Sequence, residues 1–346
     1  MKRILHIHQK FFPHIGGSTT RLLGLIQKDE LNRHLVLAQY EGFGPRKFQH
    51  KSISIFTYKY YWQIPFYLWL ITKTESLDVY HSHNYRPLFY TWLFTLIKGR
   101  NVRWVHELHS MYLPQNRLSS RLGLYLLNKP SKLIVLNYSM KNKLFDLVGV
   151  ESEVIYSIPN IPYAKSTKSH IYGDKLVFGY LGSLDSFQGV MNIVELAKKF
   201  KDKNNVEFII VGGHSSEMAK YVDLNNLPQN LNYKEAIDIS LVGNYYKSFD
   251  YLLMLRDSSL ITEYVIPLKP LEAAYYGLKT IMFELPVCDE IKTLCGNDMI
   301  LVRSRDWLKS NLDTLPKYLK SPNLEIPDKV EQMSSVLYDH LYDHFG

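Results

Sequence analysis

The sequence predicts an α/β protein made of two doubly wound domains that face each other across a cleft. The chain has 346 residues, which exceeds the usual size of a single hydrophobic core. Short apolar runs alternate with longer helical stretches, as expected for repeated βαβ units and a parallel sheet. Two prolines interrupt this alternation between residues 157 and 162, and the alternation then starts again. We therefore predict a first domain at residues 1–160 and a second at residues 161–346.

The elements of the first domain are predicted from apolar runs short enough to be buried strands. We expect strands at residues 4–7, 34–37, 52–57, 79–82, 103–106, 133–136 and 153–155. The longer segments between these runs are expected to supply the crossover helices of a doubly wound sheet.

The second domain repeats the same rhythm. We expect strands at residues 176–181, 207–211, 251–255, 280–283 and 299–302, and helices at residues 190–200 and 267–276. The later helix begins near prolines and ends at Gly277, a residue that suits a helix C-terminus. Residues 328–344 are expected to form a terminal surface helix.

Composition favours a folded protein of a reducing compartment. Apolar residues make up 46 % of the chain and charged residues 21 %, a globular balance. The two cysteines, Cys288 and Cys295, are too few for a disulfide framework or a zinc cluster. Residues 1–8 are too polar for a signal peptide, and no apolar run approaches the roughly 20 residues that span a bilayer. These features predict a cytoplasmic protein.

The positive charge is concentrated in the first domain. Residues 1–160 hold 21 Lys/Arg and 9 Asp/Glu, a formal charge of +12, whereas the remainder holds 20 and 24. Such an asymmetry predicts a polyanionic partner, either phosphate-rich lipid or nucleic acid. Aromatic residues between positions 56 and 69 favour an anionic membrane surface, although a tyrosine-rich core strand and helix is the alternative. No nucleic-acid recognition module accompanies the charge, so we expect no nucleic-acid partner.

A glycine pair follows the first predicted strand. Gly16 and Gly17 precede a helix that is expected to start at Ser18 or Thr19. Glycines let a backbone approach a ligand closely, and the unpaired amides of a helix N-terminus attract anions. A plain tight turn is the alternative for a lone glycine pair.

A series of motifs along nearly the whole chain resembles the GT-B glycosyltransferases of the large retaining group 1 type. In order they are FP at 12–13 with GG at 16–17, DVYHSH at 78–83, VHE at 105–107, IPN at 158–160, GYLGSL at 179–184, IIVGG at 209–213, YYKSFD at 245–250 and PLKPLEAAYYG at 267–277. The resemblance implies two Rossmann-like domains, with the acceptor bound by residues 1–160 and the nucleotide-sugar donor by residues 161–346.

The resemblance also implies the reaction. A sugar would pass, with retained configuration, to a membrane-associated glycan or glycolipid of surface polysaccharide biosynthesis, at the inner face of the cytoplasmic membrane. The nucleotide sugar would be a substrate, with no cofactor and no metal required. Gly16 and Gly17 would leave room for its diphosphate.

Relatives hold the donor ribose with a glutamate at the position of Glu272, because a carboxylate can accept two hydroxyl hydrogen bonds. Standing alone, Glu272 would be interpreted as a solvated helix residue. Relatives often carry an acidic residue eight positions earlier, where this chain has Tyr264 with Glu263 beside it. Pro267 and Leu268, at the start of the same motif, complete this part of the predicted donor site.

The donor phosphates are expected to be bound unusually. Relatives carry arginine and lysine in the loop after the first strand of the second domain, where this chain has Ser183 and Gln188. Neutral donors are roughly half as strong as ionised ones towards an anion. Lys269, three residues before Glu272 on the same helical face, is the first candidate to compensate, and Arg256 is the second. A solvated surface lysine is the alternative for Lys269.

A histidine at the end of the strand predicted at residues 103–106 is expected to contact the donor sugar, as in relatives. His106 occupies that position, and a neutral imidazole can hydrogen-bond a sugar hydroxyl. His109 competes for the assignment, and a buried histidine bonded to backbone is the alternative.

Three other interpretations compete with the transferase. His6, His8, His81 and His83 alternate on neighbouring strands and invite a metal site, but the resemblance implies none. A nicotinamide oxidoreductase is excluded because no Gly-x-Gly-x-x-Gly with a following acidic residue appears after the first strand. A noncatalytic GT-B-like binding or scaffold subunit is the alternative function, because some family positions have lost their usual residues.

Overall fold

The structure is a computed structural model of the 346-residue chain. It describes residues 1–11, 17–40, 47–50, 53–99, 102–111, 117–159, 175–296, 299–316, 324–334 and 341–342. Contacts between Cα atoms divide the chain into two compact units, which we call unit 1 (Met1–Ile158 with Val330–Gly346) and unit 2 (Pro159–Lys329). Residues 330–346 were expected in the second domain and belong to unit 1 instead.

Unit 1 is built on an eight-stranded sheet in the order β3-β4-β2-β1-β5-β6-β7-β8. Its strands are β1 (Arg3–Lys10), β2 (Arg33–Gln39), β3 (Lys47–His50), β4 (Ile53–Tyr58), β5 (Val79–His83), β6 (Trp104–Leu108), β7 (Lys132–Val135) and β8 (Glu153–Val154). Its helices are α1 (Gly17–Lys28), α2 (Ile64–Thr74), α3 (Tyr85–Lys98), α4 (Arg117–Leu126) and α5 (Tyr138–Val148). All pairings are parallel except the edge pair β3–β4, so the predicted doubly wound sheet is confirmed.

Unit 2 is built on a six-stranded, fully parallel sheet in the order β11-β10-β9-β12-β13-β14. Its strands are β9 (Leu176–Leu181), β10 (Val206–Val211), β11 (Leu231–Lys234), β12 (Tyr251–Met254), β13 (Lys279–Phe283) and β14 (Met299–Val302). Its helices are α6 (Val190–Lys199), α7 (Ser215–Met218), α8 (Ile239–Ser248), α9 (Leu260–Tyr264), α10 (Leu268–Tyr275), α11 (Cys288–Cys295) and α12 (Arg305–Asn311). The last of the described helices, α13 (Ile326–Gln332), has residues assigned to both units.

The core of unit 1 packs against the central strands of its sheet and includes two residues of the C-terminal segment. Ile4, Val79 and Val105 are fully buried on one face of the sheet, and Leu341 and Tyr342 pack against the same cluster. The surface helix expected at residues 328–344 is therefore wrong in part: helix α13 ends at residue 332, and residues 341–342 are at most 1 % exposed. The large apolar area that these two side chains remove from water explains their position.

In both sheets the strands that come first after the initial strand lie on one side of it, and the later strands lie on its other side. In unit 2 it leaves β9 towards β10 on one side and returns to β12 on the other, which makes the β9–β12 boundary a topological switch point. In unit 1 the corresponding boundary lies between β1 and β5. Open α/β sheets bind ligands at the carboxyl ends of the strands that flank such a point. None of the described helices is long and apolar enough to cross a membrane.

Candidate functional site

The loops at the switch point of unit 2 approach each other closely. Gly189, after β9, has a φ of +77°, and a Cβ atom there would lie 1.9 Å from the carbonyl oxygen of Leu255, after β12. Gly212, after β10, has a φ of +141°, and a Cβ atom there would lie 1.8 Å from the carbonyl oxygen of Gly182. Only glycine tolerates this combination of backbone conformation and contact, so these positions bring three loops together.

A buried arginine supplies a cation to the loop that lacks the usual basic pair. Arg256 donates to the Gln188 side-chain oxygen from Nε at 3.1 Å and from Nη2 at 2.8 Å. Gln188 in turn donates from Nε2 to the Ser183 hydroxyl at 3.3 Å. Arg256 and Gln188 are each only 6 % exposed, and burial lowers the pKa of Arg256 to about 10. The three predicted residues thus form one hydrogen-bonded network around the loop after β9.

Lys269 places a second cation over the same loop. It occupies the first turn of helix α10, and a Cβ atom at Gly182 would lie 2.5 Å from its Nζ. The ammonium group is 5.7 Å from the centre of the Tyr180 ring. Burial, and then the neighbouring charge of Arg256, lower the pKa of Lys269 to about 8. The alternative of a solvated surface lysine does not describe this half-buried side chain, which lies against the loop after β9.

Glu272 is held in place one helical turn from Lys269. The hydroxyl of Tyr246 donates to its Oε2 at 2.6 Å. Tyr246 is 1 % exposed, and both burial and the Glu272 charge raise its pKa well above the ordinary value, so it stays a donor. An ionised carboxylate fixed at one oxygen keeps further lone pairs for hydroxyl donors.

The remaining predicted donor residues are less closely tied to this group. Glu263 lies on α9 and accepts a hydrogen bond from the Ser258 hydroxyl. Pro267 precedes helix α10 and Leu268 is its first residue. Gly17 is the first residue of α1 in unit 1, and Gly16 lies outside the described residues. The roles of these residues, and those of Lys269, Arg256, Ser183, Gln188 and Glu272, stay predictions.

His106 lies inside unit 1 with its ring fully buried. Its Nδ1 is 2.8 Å from the Ser82 hydroxyl, which also accepts a hydrogen bond from Trp104 Nε1 at 2.7 Å. Burial lowers the pKa of His106 to about 3, so the imidazole is neutral. The ring has no exposed surface among the described residues, and a contact with the donor sugar stays a prediction. His109, which follows the same strand, is partly exposed.

A buried histidine cluster fills the other face of the unit 1 sheet at the carboxyl ends of its central strands. His6 lies between His34 and His83, with ring nitrogens 2.9 and 3.1 Å apart, and His83 Nδ1 lies 3.0 Å from His109 Nε2. His81 Nδ1 lies 2.8 Å from the Tyr342 hydroxyl. Burial lowers the pKa of His81 to about 3 and that of His6 well below its ordinary value, so these rings are neutral.

An ion pair that the sequence did not single out anchors this cluster. Arg21, from α1, donates to Glu107 Oε1 at 3.2 Å and to the carbonyl oxygen of Ile155 at 2.9 Å. Burial alone would raise the pKa of Glu107, but Arg21 and His109 hold it well below its usual range. Glu107 lies in β6 next to His106, and an acidic residue inside a strand expected to be buried is the signal that could have identified the pair.

Two groups in this cluster have the donor atoms of a metal site. The ligand atoms of His6, His81 and His83 lie within 4.8 Å of one another, and so do those of His8, His83 and His109. His8 Nδ1 accepts from the Lys10 amide at 3.2 Å, which puts the ring proton on Nε2 in the neutral form and makes His8 a poor ligand. Hydrogen bonds between rings give His6, His83 and His109 partners within the protein, and His81 Nδ1 has the Tyr342 hydroxyl.

Comparisons with known proteins agree with this division into units. A family model described as Glycosyltransferase Family 4 matches residues 31–161, and one described as Glycosyl transferases group 1 matches residues 164–301. No curated protein matches the sequence.

Three solved structures illustrate the likeness of fold. A sucrose-phosphate synthase from Thermosynechococcus elongatus has a TM-score of 0.75 at 13 % identity, with 96 % of this chain and 95 % of that chain covered. The Anabaena protein HepE, in complex with UDP and glucose, has a TM-score of 0.69 at 16 % identity, over 91 % and 89 %. The lipopolysaccharide outer core galactosyltransferase WaaB has a TM-score of 0.64 at 16 % identity, over 97 % of each chain. At these identities the likeness establishes the two-domain GT-B fold.

Proposed function

Because the chain belongs to the group 1 glycosyltransferases of the GT-B fold, we propose that it transfers a sugar from a nucleotide-sugar donor to a membrane-associated glycan or glycolipid acceptor, with retention of configuration, in surface polysaccharide biosynthesis. The observation that carries the donor half of this proposal is the cation pair Lys269 and Arg256 at the loop after β9. Glu272, on the same helix as Lys269, adds a fixed carboxylate.

The donor phosphates would bind at the carboxyl ends of β9 and β12. Lys269 and Arg256 offer two positive charges there, and the hydroxyl of Ser183 and the amide of Gln188 offer neutral donors. As the sugar leaves the diphosphate, negative charge grows on the phosphate oxygens, and fixed cations stabilise that charge without reorganisation. Glu272 would accept hydrogen bonds from the ribose hydroxyls and so fix the position of the donor.

The transfer is proposed to proceed by internal return. The bond between the anomeric carbon and the leaving phosphate breaks, the acceptor oxygen bonds to the same face of the sugar, and the acceptor proton passes to a phosphate oxygen. The protein positions the two substrates and stabilises charge. WaaB is a galactosyltransferase and HepE is found in complex with UDP and glucose, which supports a nucleotide-sugar donor here.

We also propose that the reaction requires no metal, because Lys269 and Arg256 can take the place that a divalent cation takes elsewhere. Activity that survives extensive treatment with EDTA is the expected result. We propose that the protein acts in the cytoplasm, peripherally on the inner face of the cytoplasmic membrane, since +12 of formal charge lies in residues 1–160.

The proposed activity is tested by incubating the purified protein with a panel of nucleotide sugars and measuring the release of free nucleotide. We expect turnover with one of them, and a large loss in Lys269→Ala. Lys198→Ala is the matched control, because Lys198 is an exposed lysine at the far end of helix α6. Loss of activity in both variants, or in neither, would contradict the assigned role of Lys269.

A noncatalytic binding or scaffold subunit is the second candidate. It is favoured by Ser183 and Gln188, which stand where relatives carry basic residues. A scaffold would bind a nucleotide sugar in calorimetry without releasing nucleotide, even in the presence of membranes that supply acceptor.

A further inference from the structure

Helix α2 is apolar on two opposite sides. Ile64, Leu68 and Ile71 are at most 1 % exposed and pack into unit 1. Phe66 and Trp69, on the other side, are 58 % and 49 % exposed. A helix at the surface of a globular protein normally carries one apolar face. The second, exposed apolar face therefore indicates a surface that binds another molecule.

The exposed face continues into the turn before the helix and is ordered by ring contacts. Tyr60 and Trp62 are 50 % and 66 % exposed, with parallel rings 6.3 Å apart. Phe66 and Trp69 are also stacked, at 6.3 Å. We call these residues, with one exposed leucine of the same helix, the aromatic surface: Tyr60, Trp62, Phe66, Trp69 and Leu70. The sequence left a membrane surface and a core segment as alternatives, and the structure buries one part of the segment and exposes the other.

Lysines border the aromatic surface. Lys59 Nζ lies 5.5 Å from the centre of the Tyr60 ring, and Lys73 Nζ lies 5.6 Å from that of Trp69. The sequence holds no Asp or Glu between residues 42 and 74. Glu75, which follows the helix, already faces two arginines, with Arg33 at 3.7 Å and Arg3 at 3.9 Å. The border of the surface is therefore positively charged.

We propose that the aromatic surface docks unit 1 onto an anionic lipid bilayer. Tryptophan and tyrosine rings favour the boundary between headgroups and acyl chains, and Lys59 and Lys73 can reach lipid phosphates while their stems lie along the rings. The inference rests on the proposed function, since an enzyme with a lipid-linked acceptor has to meet that acceptor at the membrane. Each basic residue close to an anionic surface contributes about 1 kcal/mol.

A second copy of the chain suits this surface less well. Two copies joined through it would bring Lys59 and Lys73 of each copy together, and the segment from residue 42 to residue 74 contains no carboxylate to pair with them. Like charges at an interface oppose association. Lipid phosphates remove this conflict, because they supply the missing negative charge.

Vesicle cosedimentation tests the proposal with the full chain. We expect binding to phosphatidylcholine vesicles that contain phosphatidylglycerol, weaker binding to phosphatidylcholine alone, and a decrease with added salt. The double variant Phe66→Ser/Trp69→Ser should bind roughly tenfold less or weaker still, since it removes two rings from the interface. Trp307→Ser is the matched control, because Trp307 is 40 % exposed in unit 2. A blue shift of tryptophan fluorescence on binding should be smaller in the double variant, which keeps only Trp62 of the two tryptophans in the aromatic surface, and should persist in Trp307→Ser.

Several outcomes would overturn the docking surface. These are equal recovery with neutral and anionic vesicles, undiminished binding by a folded double variant, or a wild-type dimer in sedimentation velocity that the double variant converts to monomer. Nucleotide release from the same preparations, measured without vesicles, keeps the two proposals apart. A protein that turns over donor and ignores vesicles refutes the surface alone, whereas one that binds vesicles and never turns over donor refutes the transferase.

Discussion

Binding of the donor diphosphate should depend on pH through Lys269. The pKa of this lysine is about 8 in the unliganded protein, against an ordinary 10.5, because burial and Arg256 disfavour its charge. A bound diphosphate favours the ammonium form and therefore raises that pKa. Phosphate groups are already ionised above roughly pH 7. Affinity should then be highest below pH 8 and should fall as the pH rises through 8, because the free protein loses the proton that the complex keeps.

The size of the effect follows from the shift. If the bound diphosphate returned the pKa of Lys269 from about 8 to 10.5, the binding free energy would gain about 3 kcal/mol, at roughly 1.4 kcal/mol per pH unit. Lys269 is partly exposed, and screening by solvent reduces this to about 1–2 kcal/mol, or roughly a 5- to 30-fold change in affinity. Lys269→Ala should lose this amount at neutral pH and show a flat pH profile. Lys269→Arg should also be flat, but with affinity retained, since arginine does not titrate in this range.

Calorimetry with UDP and with other nucleoside diphosphates measures both quantities. Titrations in buffers of different ionisation enthalpy should show proton uptake on binding between about pH 8 and pH 10 in the wild type alone. Constant wild-type affinity from about pH 7 to about pH 10 would refute the reasoning, and so would a Lys269→Ala variant that keeps the wild-type profile.

Three further predictions concern unit 2. Glu272→Gln should weaken donor binding by removing a charged acceptor worth roughly 1.5–3 kcal/mol per bond, while it keeps an oxygen for Tyr246, so unchanged kinetics in the folded variant would remove Glu272 from the site. From the sequence alone, Gln188→Lys is expected to be neutral or to improve donor binding; because Arg256 donates two hydrogen bonds to Gln188, the variant should also lose about 3 kcal/mol in unfolding free energy, measured in denaturant and partly recovered with diphosphate present. Gly212→Ala should lower the denaturation midpoint strongly, because its Cβ would lie 1.8 Å from a carbonyl oxygen, and a soluble variant of wild-type stability would contradict that contact.

The positions of strands that are buried on both faces could be predicted from the sequence. Strand β9 occupies Leu176–Leu181 as expected, because its apolar run has no helical period. The edge strands β3 (Lys47–His50) and β11 (Leu231–Lys234) were missed. Their sequences, KFQH and LNYK, lack a buried run, and their strand conformation depends on a neighbouring strand that local pattern does not reveal.

The candidate site was predictable one residue at a time but not as a network. Lys269 and Glu272 share a helix and a motif, so their spacing is visible in the sequence. The bond between Arg256 and Gln188 joins residues 68 positions apart, and the ion pair between Arg21 and Glu107 joins residues 86 positions apart. Contacts of that kind depend on the tertiary fold, which is why Arg21 received no role and Arg256 only a second place.

The contribution of Leu341 and Tyr342 to the core of unit 1 has a consequence for synthesis on the ribosome. Domains usually fold in the order in which they are made. Here the core around Ile4 and Val79 stays incomplete until residues 341 and 342 have emerged, long after the whole of unit 2. Unit 2 can therefore finish folding before unit 1 does. Until Tyr342 is synthesised, the ring of His81 in unit 1 lacks its hydrogen-bond partner. A stop codon just before residue 341 would damage the half of the protein that the ribosome made first.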